Sequence, residues 1–281
     1  TTVESIEFSQ ASVPDRNGAG IRQEGPSLTL RHCFFHDNEN GILAGDSAES
    51  DILIEHCEFA HNGYGDGYSH NMYINHVRSF TLRGSYSHHA HIGHNVKSRA
   101  LANFILYNHI MDEEQGDSSY GLDLPNGGQS YVIGNLIQQG TATDNSTLVS
   151  YGREGLSNPS SELFAVNNTL VNDRSAGTFF NLQDGAEVQL INNLFVGNGT
   201  RVQGSADEQA NLDDDGSGLQ DRAGYDYRLL AGTPAVDVGV DPGQGGGQEL
   251  RPSKQYLHPA GMEERPDDAS LDVGAYEAPP E

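Results

Sequence analysis

The chain has 281 residues, with 40 Asp and Glu against 15 Lys and Arg, for a net charge of −25. That field excludes nucleic acid as a general partner, because phosphate binding needs the opposite sign, and no apolar run approaches membrane-spanning length. Thirty-four glycines, no tryptophan and 35% hydrophobic residues suit many short strands and turns better than packed helices.

Along the chain, short alternating segments return. They begin with Leu28-Thr-Leu-Arg-His-Cys-Phe-Phe, Ile52-Leu-Ile-Glu-His-Cys-Glu-Phe and Phe80-Thr-Leu-Arg-Gly-Ser-Tyr-Ser. They continue with Phe104-Ile-Leu-Tyr-Asn-His-Ile, Tyr131-Val-Ile-Gly-Asn-Leu-Ile, Leu163-Phe-Ala-Val-Asn-Asn-Thr-Leu and Val188-Gln-Leu-Ile-Asn-Asn-Leu-Phe. Each breaks at a small or amide-bearing residue: Cys33, Cys57, Ser85, Asn108, Asn135, Asn168 and Asn193, at spacings of 24, 28, 23, 27, 33 and 25. A second strand precedes each of them, as in Asn71-Met-Tyr-Ile, Asn95-Val-Lys-Ser and Gly121-Leu-Asp-Leu. Two or three strands per coil of about two dozen residues predict a right-handed parallel β-helix. Stacked coils set like positions into ladders about 4.8 Å apart, so Asn at the corner bonds Asn above and below. Cys33 and Cys57 then read as stacked, buried thiols rather than a bridge.

The expected β-helix spans residues 1–200, and residues 201–281 form an irregular segment packing back on it within one domain. Residues 201–224 read as an exposed polar loop. Within it, Asp213 to Gly216 is faintly similar to a calcium loop, although a solvated acidic turn explains it better, so Ca2+ stays only possible. The phrases Asp226-Tyr-Arg-Leu-Leu-Ala-Gly-Thr-Pro-Ala-Val-Asp-Val-Gly and Leu271-Asp-Val-Gly-Ala-Tyr-Glu look like the C-terminal segment of right-handed parallel β-helix proteins among bacterial polysaccharide enzymes. Asn17-Gly-Ala-Gly-Ile-Arg and Asn38-Glu-Asn-Gly-Ile-Leu resemble the same group. This likeness implies a fold rather than a reaction.

Residues 67–111 contain no acid, where an even spread would place about six. In their place stand Arg78, Arg83, Lys97, Arg99 and seven histidines. Such an island in an acidic protein suggests a site for something negatively charged; uneven charge spacing with no function is the bland alternative. Alternation places Tyr73, Lys97 and Asp123 outward in one column, with Asn75, Arg99 and Pro125 beside them. Leu148 inward and Tyr151 outward would add a second phenol at the rim, with Arg153 just past it. His88, His89, His91 and His94 match no standard metal-ligand spacing and read as solvated or turn-bonding, so no metal ligands are assigned.

This set suits β-elimination from a uronic acid. Arg99 and Asn75 would neutralise the sugar carboxylate. Lys97 or neutral His94 would take the C5 proton, and Tyr73 or Tyr151 would protonate the leaving oxygen. Asp123 would hold Lys97 or bind a cation. His70, His76, Asn95, Asn126, Tyr151 and Arg153 join Asn75 as substrate-binding candidates. The same residues also allow simple ion pairing of Lys97 and Arg99 with Asp123 and loop acids.

The segment His94-Asn-Val-Lys-Ser-Arg is similar to the Asn-Lys-Ser motif of the alginate lyase and chondroitinase B group of β-helix lyases. That resemblance implies that Lys97 is the base. The group's assisting arginine on the next coil has no counterpart, since Leu122-Asp-Leu-Pro stands there and Arg99 is the nearest guanidinium. Tyr120-Gly-Leu-Asp also resembles the Tyr-Gly-Phe-Asp-Pro-His motif of mannuronan C5-epimerases, with the match ending at Asp123. The expectation is a polysaccharide lyase acting on an acidic, uronate-containing polymer. A C5-epimerase and a non-catalytic acidic-glycan binder are the alternatives. Extracellular or periplasmic placement follows from that substrate class, not from any address in the sequence.

Overall fold

A computed structural model describes residues 1–266 and 270–278. Among the described residues every helix-or-strand element is a strand. Three parallel sheets of nine, nine and eight strands take the strands in rotation, so the backbone winds as a three-walled β-helix of roughly 26 residues per turn. Alternation explains the walls. Leu30, Ile54, Leu82, Ile105, Val132, Ala165 and Leu190 are in register on successive strands of the first sheet, and all seven are fully buried. In the second sheet Phe8, Phe35 and Phe59 stack ring on ring at 4.7 Å. Each fully buried valine, leucine, isoleucine or phenylalanine among them contributes about 1.5–3 kcal/mol by leaving water.

The corner between the first and second sheets needs a left-handed residue on every coil. His32, His56, Tyr107, Asn167 and Asn192 adopt φ between 51° and 56° there, and Gly84 and Gly134 take the same position at 55° and 66°. The turn leaves the next backbone N–H without a strand partner, and the side chain one coil up accepts from it. Cys33 N–H donates to Cys57 Sγ (3.4 Å), Cys57 N–H to Ser85 Oγ (3.2 Å) and Ser85 N–H to Asn108 Oδ1 (3.0 Å). The chain of bonds continues through Asn135, Asn168 and Asn193 to Asn211. All seven expected corner residues therefore form one ladder, extended by an eighth, and both thiols are free and buried. A second buried ladder runs through Asn38, Asn62, Asn71, Asn95 and Asp112.

The coil does not end near residue 200. Thr200–Gln203, Asp207–Gln209 and Leu212–Asp214 add one more strand to each sheet. Their polarity, which suggested a loop, belongs to a coil with no strand above it among the described residues. The tail then folds back in three antiparallel pairs. Tyr227, Leu229, Tyr256 and Val273 pack on Leu136, Val171, Leu194 and Val196 of the second sheet, while Leu250 packs with Tyr131 and Phe164 of the first. Backbone contacts pin it, including Gly274 N–H to Asn192 O (2.9 Å) and Tyr131 hydroxyl to Gly246 O (3.0 Å). None of these contacts involves the third sheet, whose outer face holds the basic cluster.

Candidate active site

Met72–Ile74, Val96–Ser98, Leu122–Leu124 and Thr147–Tyr151 lie side by side in the third sheet. Tyr73 is in register with Lys97, Lys97 with Asp123, and Asp123 with Ser150. The expected column therefore exists. Lys97 Nζ lies 3.3 Å from Asp123 Oδ2 and 3.0 Å from Glu154 Oε1. Arg99, at the strand end, donates from Nε to the Tyr73 hydroxyl (3.0 Å), from Nη1 to Asn126 Oδ1 and from Nη2 to Glu154 Oε2 (2.6 Å). Its guanidinium also lies 5.8 Å from the Tyr73 ring centre.

Beside this layer two histidines meet, His70 and His94 with ring centres 4.5 Å apart and planes tilted by 36°, and His70 also stacks against Tyr73. The His94 backbone N–H donates to His70 Nδ1 (2.9 Å). Burial lowers the His70 imidazole to about 3, with help from the Lys97 charge, so at neutral pH its proton sits on Nε2. Burial likewise holds His94 well below the ordinary histidine range, with His70 and Lys97 acting in the same direction. His94 Nε2 is 3.5 Å from Asp123 Oδ2, and its Nδ1 is buried with no partner.

The two carboxyls are driven apart. Burial pushes Asp123 up despite the pull of Lys97 and Ser150. For Glu154 burial also pushes upward, but hydrogen bonds from Arg99 and Lys97 outweigh it and hold the group below the usual range. Lys97 is 9% exposed, whereas the Glu154 side chain is 48% exposed and caps the pair from solvent. Divergent carboxyls around a cation and neutral imidazoles are the environment in which proton-transfer groups are tuned.

Sequence reasoning missed Glu154, which arrives from a loop two strands further on. Gly152 and Gly155, at φ 72° and 108°, let the chain double back. Glu154 N–H then bonds Pro125 O (2.9 Å), and the Asn158 side chain donates to Ala100 O (3.1 Å). The only signal in the sequence is an acid between two glycines just beyond a strand of this sheet.

The structure thus gathers Tyr73, Lys97, Arg99, His94, Asp123, His70 and Asn126, and leaves five expected residues elsewhere. Tyr151 is in register with Leu124 and fully buried, its hydroxyl donating to Gly128 O (2.7 Å). Val149, not Leu148, aligns with Leu122, and that shift of one residue turns Tyr151 inward. Asn95 is sealed in the second ladder, bonded to Asn71 and Asp112. Arg153 reaches the next coil, donating to Gln183 (3.2 Å). Asn75 Oδ1 accepts from the backbone N–H of His76 and lies 3.0 Å from its ring, so this pair is occupied at the following corner.

The cations of the acid-free island are paired with acids from outside it. Besides Lys97 and Arg99, Arg78 meets Asp51 and Arg83 meets Glu55, both from the coil below. The Asp213–Gly216 turn is held by its own bonds: Asp214 accepts from Gly216 N–H, Asp215 from Ser217 N–H (2.9 Å), and Asp213 pairs with Arg201 (2.6 Å).

Fold and site define a three-walled parallel β-helix carrying a compact cluster of cations, carboxylates and neutral imidazoles on its third wall. No protein-family model, no curated protein and no solved structure matches the chain.

Proposed function

We propose that the protein cleaves an acidic, uronate-containing polysaccharide by β-elimination on the outer face of the third sheet, outside the cytoplasm where such polymers occur. The observation that carries this reading is the seat of the Glu154 carboxylate, held between Lys97 Nζ and the Arg99 guanidinium with the Tyr73 hydroxyl one hydrogen bond away. A sugar carboxylate that displaced Glu154 would meet the same two cations, which neutralise it and make the C5 proton acidic. His94, which burial keeps neutral, accepts that proton while Lys97 and Arg99 hold the carboxylate; if Lys97, nearest the seat, is the base instead, it acts as the free amine and Arg99 alone neutralises the carboxylate. The electron pair left at C5 forms the C4=C5 double bond, the C4–O bond breaks, and Tyr73 protonates the departing oxygen. The local likeness of residues 94–99 to the alginate lyase and chondroitinase B group supports the same step.

The test is incubation of wild type, Tyr73→Phe, Lys97→Ala and His94→Gln with a panel of polyuronates and glycosaminoglycans, followed by ultraviolet absorbance of unsaturated ends. The expected result is product from at least one polymer, lost with Tyr73→Phe and with one of the two base variants. A changed uronate ratio without shorter chains would instead mark a C5-epimerase. If neither product forms while polymer still binds, the catalytic reading falls and binding alone remains.

A further inference from the structure

A second cluster lies at a different corner, where the second sheet ends, and the proposed elimination makes no use of it. Glu58–Ala60 and Tyr86–His88 are adjacent strands there, with Ala60 in register with His88. His61 and His89 therefore leave their strands at equivalent positions, and both turn through left-handed backbone, φ 54° and 51°. That shared turn brings His61, His88 and His89 together, with one ring nitrogen from each within 4.8 Å of the others. The His61 and His89 ring centres are 4.8 Å apart, and His88 Nδ1 lies 2.8 Å from His89 Nδ1.

We propose that His61, His88 and His89 bind a late divalent transition metal ion of the zinc type. Three features support this. First, the outer ring nitrogens face carboxylates. His88 Nε2 is 3.3 Å from Glu58 Oε1, and His89 Nε2 is 4.0 Å from Glu113 Oε2. A carboxylate on one imidazole nitrogen orients the ring and presents the other nitrogen as the ligand, which is the outer-shell arrangement of histidine metal sites. Second, the His88 and His89 nitrogens that converge are the inner ones, Nδ1 of each. Glu58 accepts a hydrogen bond from His88 Nε2–H, so His88 Nδ1 offers a lone pair to the His89 Nδ1 proton; when a metal ion takes that place the His89 proton moves to Nε2, facing Glu113, and both Nδ1 atoms ligate. Third, a cavity of about 460 Å³ opens beside the cluster, lined by His61, His89, His91, Gly63 and Asp117, leaving a path for the ion and room for a fourth ligand.

An all-imidazole set selects zinc, nickel, copper or cobalt and disfavours calcium and magnesium, which prefer oxygen. Spacing along the chain did not reveal the site because His61 comes from the coil below His88 and His89.

Chelator-stripped protein titrated with zinc chloride against a chromophoric competitor decides the matter. The expected result is one equivalent bound with micromolar affinity or better, unaffected by excess calcium. His61→Ala and His88→Ala should each weaken it at least about tenfold, and Glu58→Gln by a similar factor, with His91→Ala unchanged. Cobalt in place of zinc should show intense visible bands of a low-coordinate nitrogen site, lost in His61→Ala. His61 is exposed, so its variant tests the site even if the buried His88 variant fails to fold. Zinc affinity and stoichiometry unchanged in His61→Ala, or calcium competing equally, would overturn the proposal.

Discussion

Glu154 Oε1 and Lys97 Nζ lie 3.0 Å apart although 57 residues separate them in the chain. Because the Glu154 side chain is half exposed, its bonds to Lys97 and Arg99 are weak anchors, worth about 0.2–1 kcal/mol each. Glu154→Gln should therefore change the melting temperature little. It removes the anion that competes with a sugar carboxylate, so polyuronate binding should strengthen by up to about tenfold. Calorimetry on a short polyuronate checks this, and weaker binding by the variant would mean that Glu154 contacts the glycan itself.

Two tyrosines separate face from core. Tyr73→Phe removes the hydroxyl that accepts from Arg99 at a partly exposed position, and should abolish turnover with little loss of stability. Tyr151→Phe removes a buried bond to Gly128 O, and should cost about 1 kcal/mol while leaving turnover intact. Paired denaturant melts and rate measurements test both; a reversed pattern would move the reaction away from Tyr73.

The coil was legible because its period is written in the corner column, from Cys33 to Asn193. The second ladder was not. Its members stand 24, 9, 24 and 17 residues apart, because loops of unequal length enter between them, so Asn95 looked like a surface residue. Alternation found the column Tyr73, Lys97 and Asp123, whose strands are separated by short, regular links. It failed at Tyr151 because Leu148 and Val149 are both apolar and both buried, so the pattern alone does not tell which of them aligns with Leu122. Glu154 has no periodic position at all, and only the glycine-flanked return of its loop brings it to Lys97.

The corner ladder should dominate local stability. Asn135 is fully buried, accepts from both the backbone and side chain of Asn108 (3.0 Å each), and donates to Asn168 Oδ1 (3.0 Å) and Ile105 O (2.8 Å). Asn135→Ala leaves a buried N–H and a buried carbonyl without partners, at about 1–3 kcal/mol each. Coils of a solenoid hold mainly their neighbours, so hydrogen exchange should rise first at residues 104–111 and 163–172. A uniform rise along the whole chain would show that the ladder acts globally instead.

Acid should unfold this protein through its histidines. Burial lowers His70 and His109 to about 3 and His89 to about 4, against about 6.5 in the unfolded chain. Between those values the unfolded state binds more protons, so stability is full above about pH 6.5 and is lost as pH falls toward the folded values. Asp112 runs the other way: burial raises it to about 6, so it favours the fold as pH drops from 6 toward 3.8. Burial also raises Asp123 and Glu277, but it lowers His61 and His94 as well, so the imidazoles outnumber the raised carboxyls and the melting temperature should fall steadily from pH 7 to pH 4.5. His109 offers the cleanest check, since it is packed among Tyr86, Tyr227 and Tyr256 with Nε2 unpartnered. His109→Phe keeps the ring and removes the titration, and should make the slope shallower while changing stability at pH 7 by less than about 1.5 kcal/mol. An unchanged slope would place the acid lability in other groups.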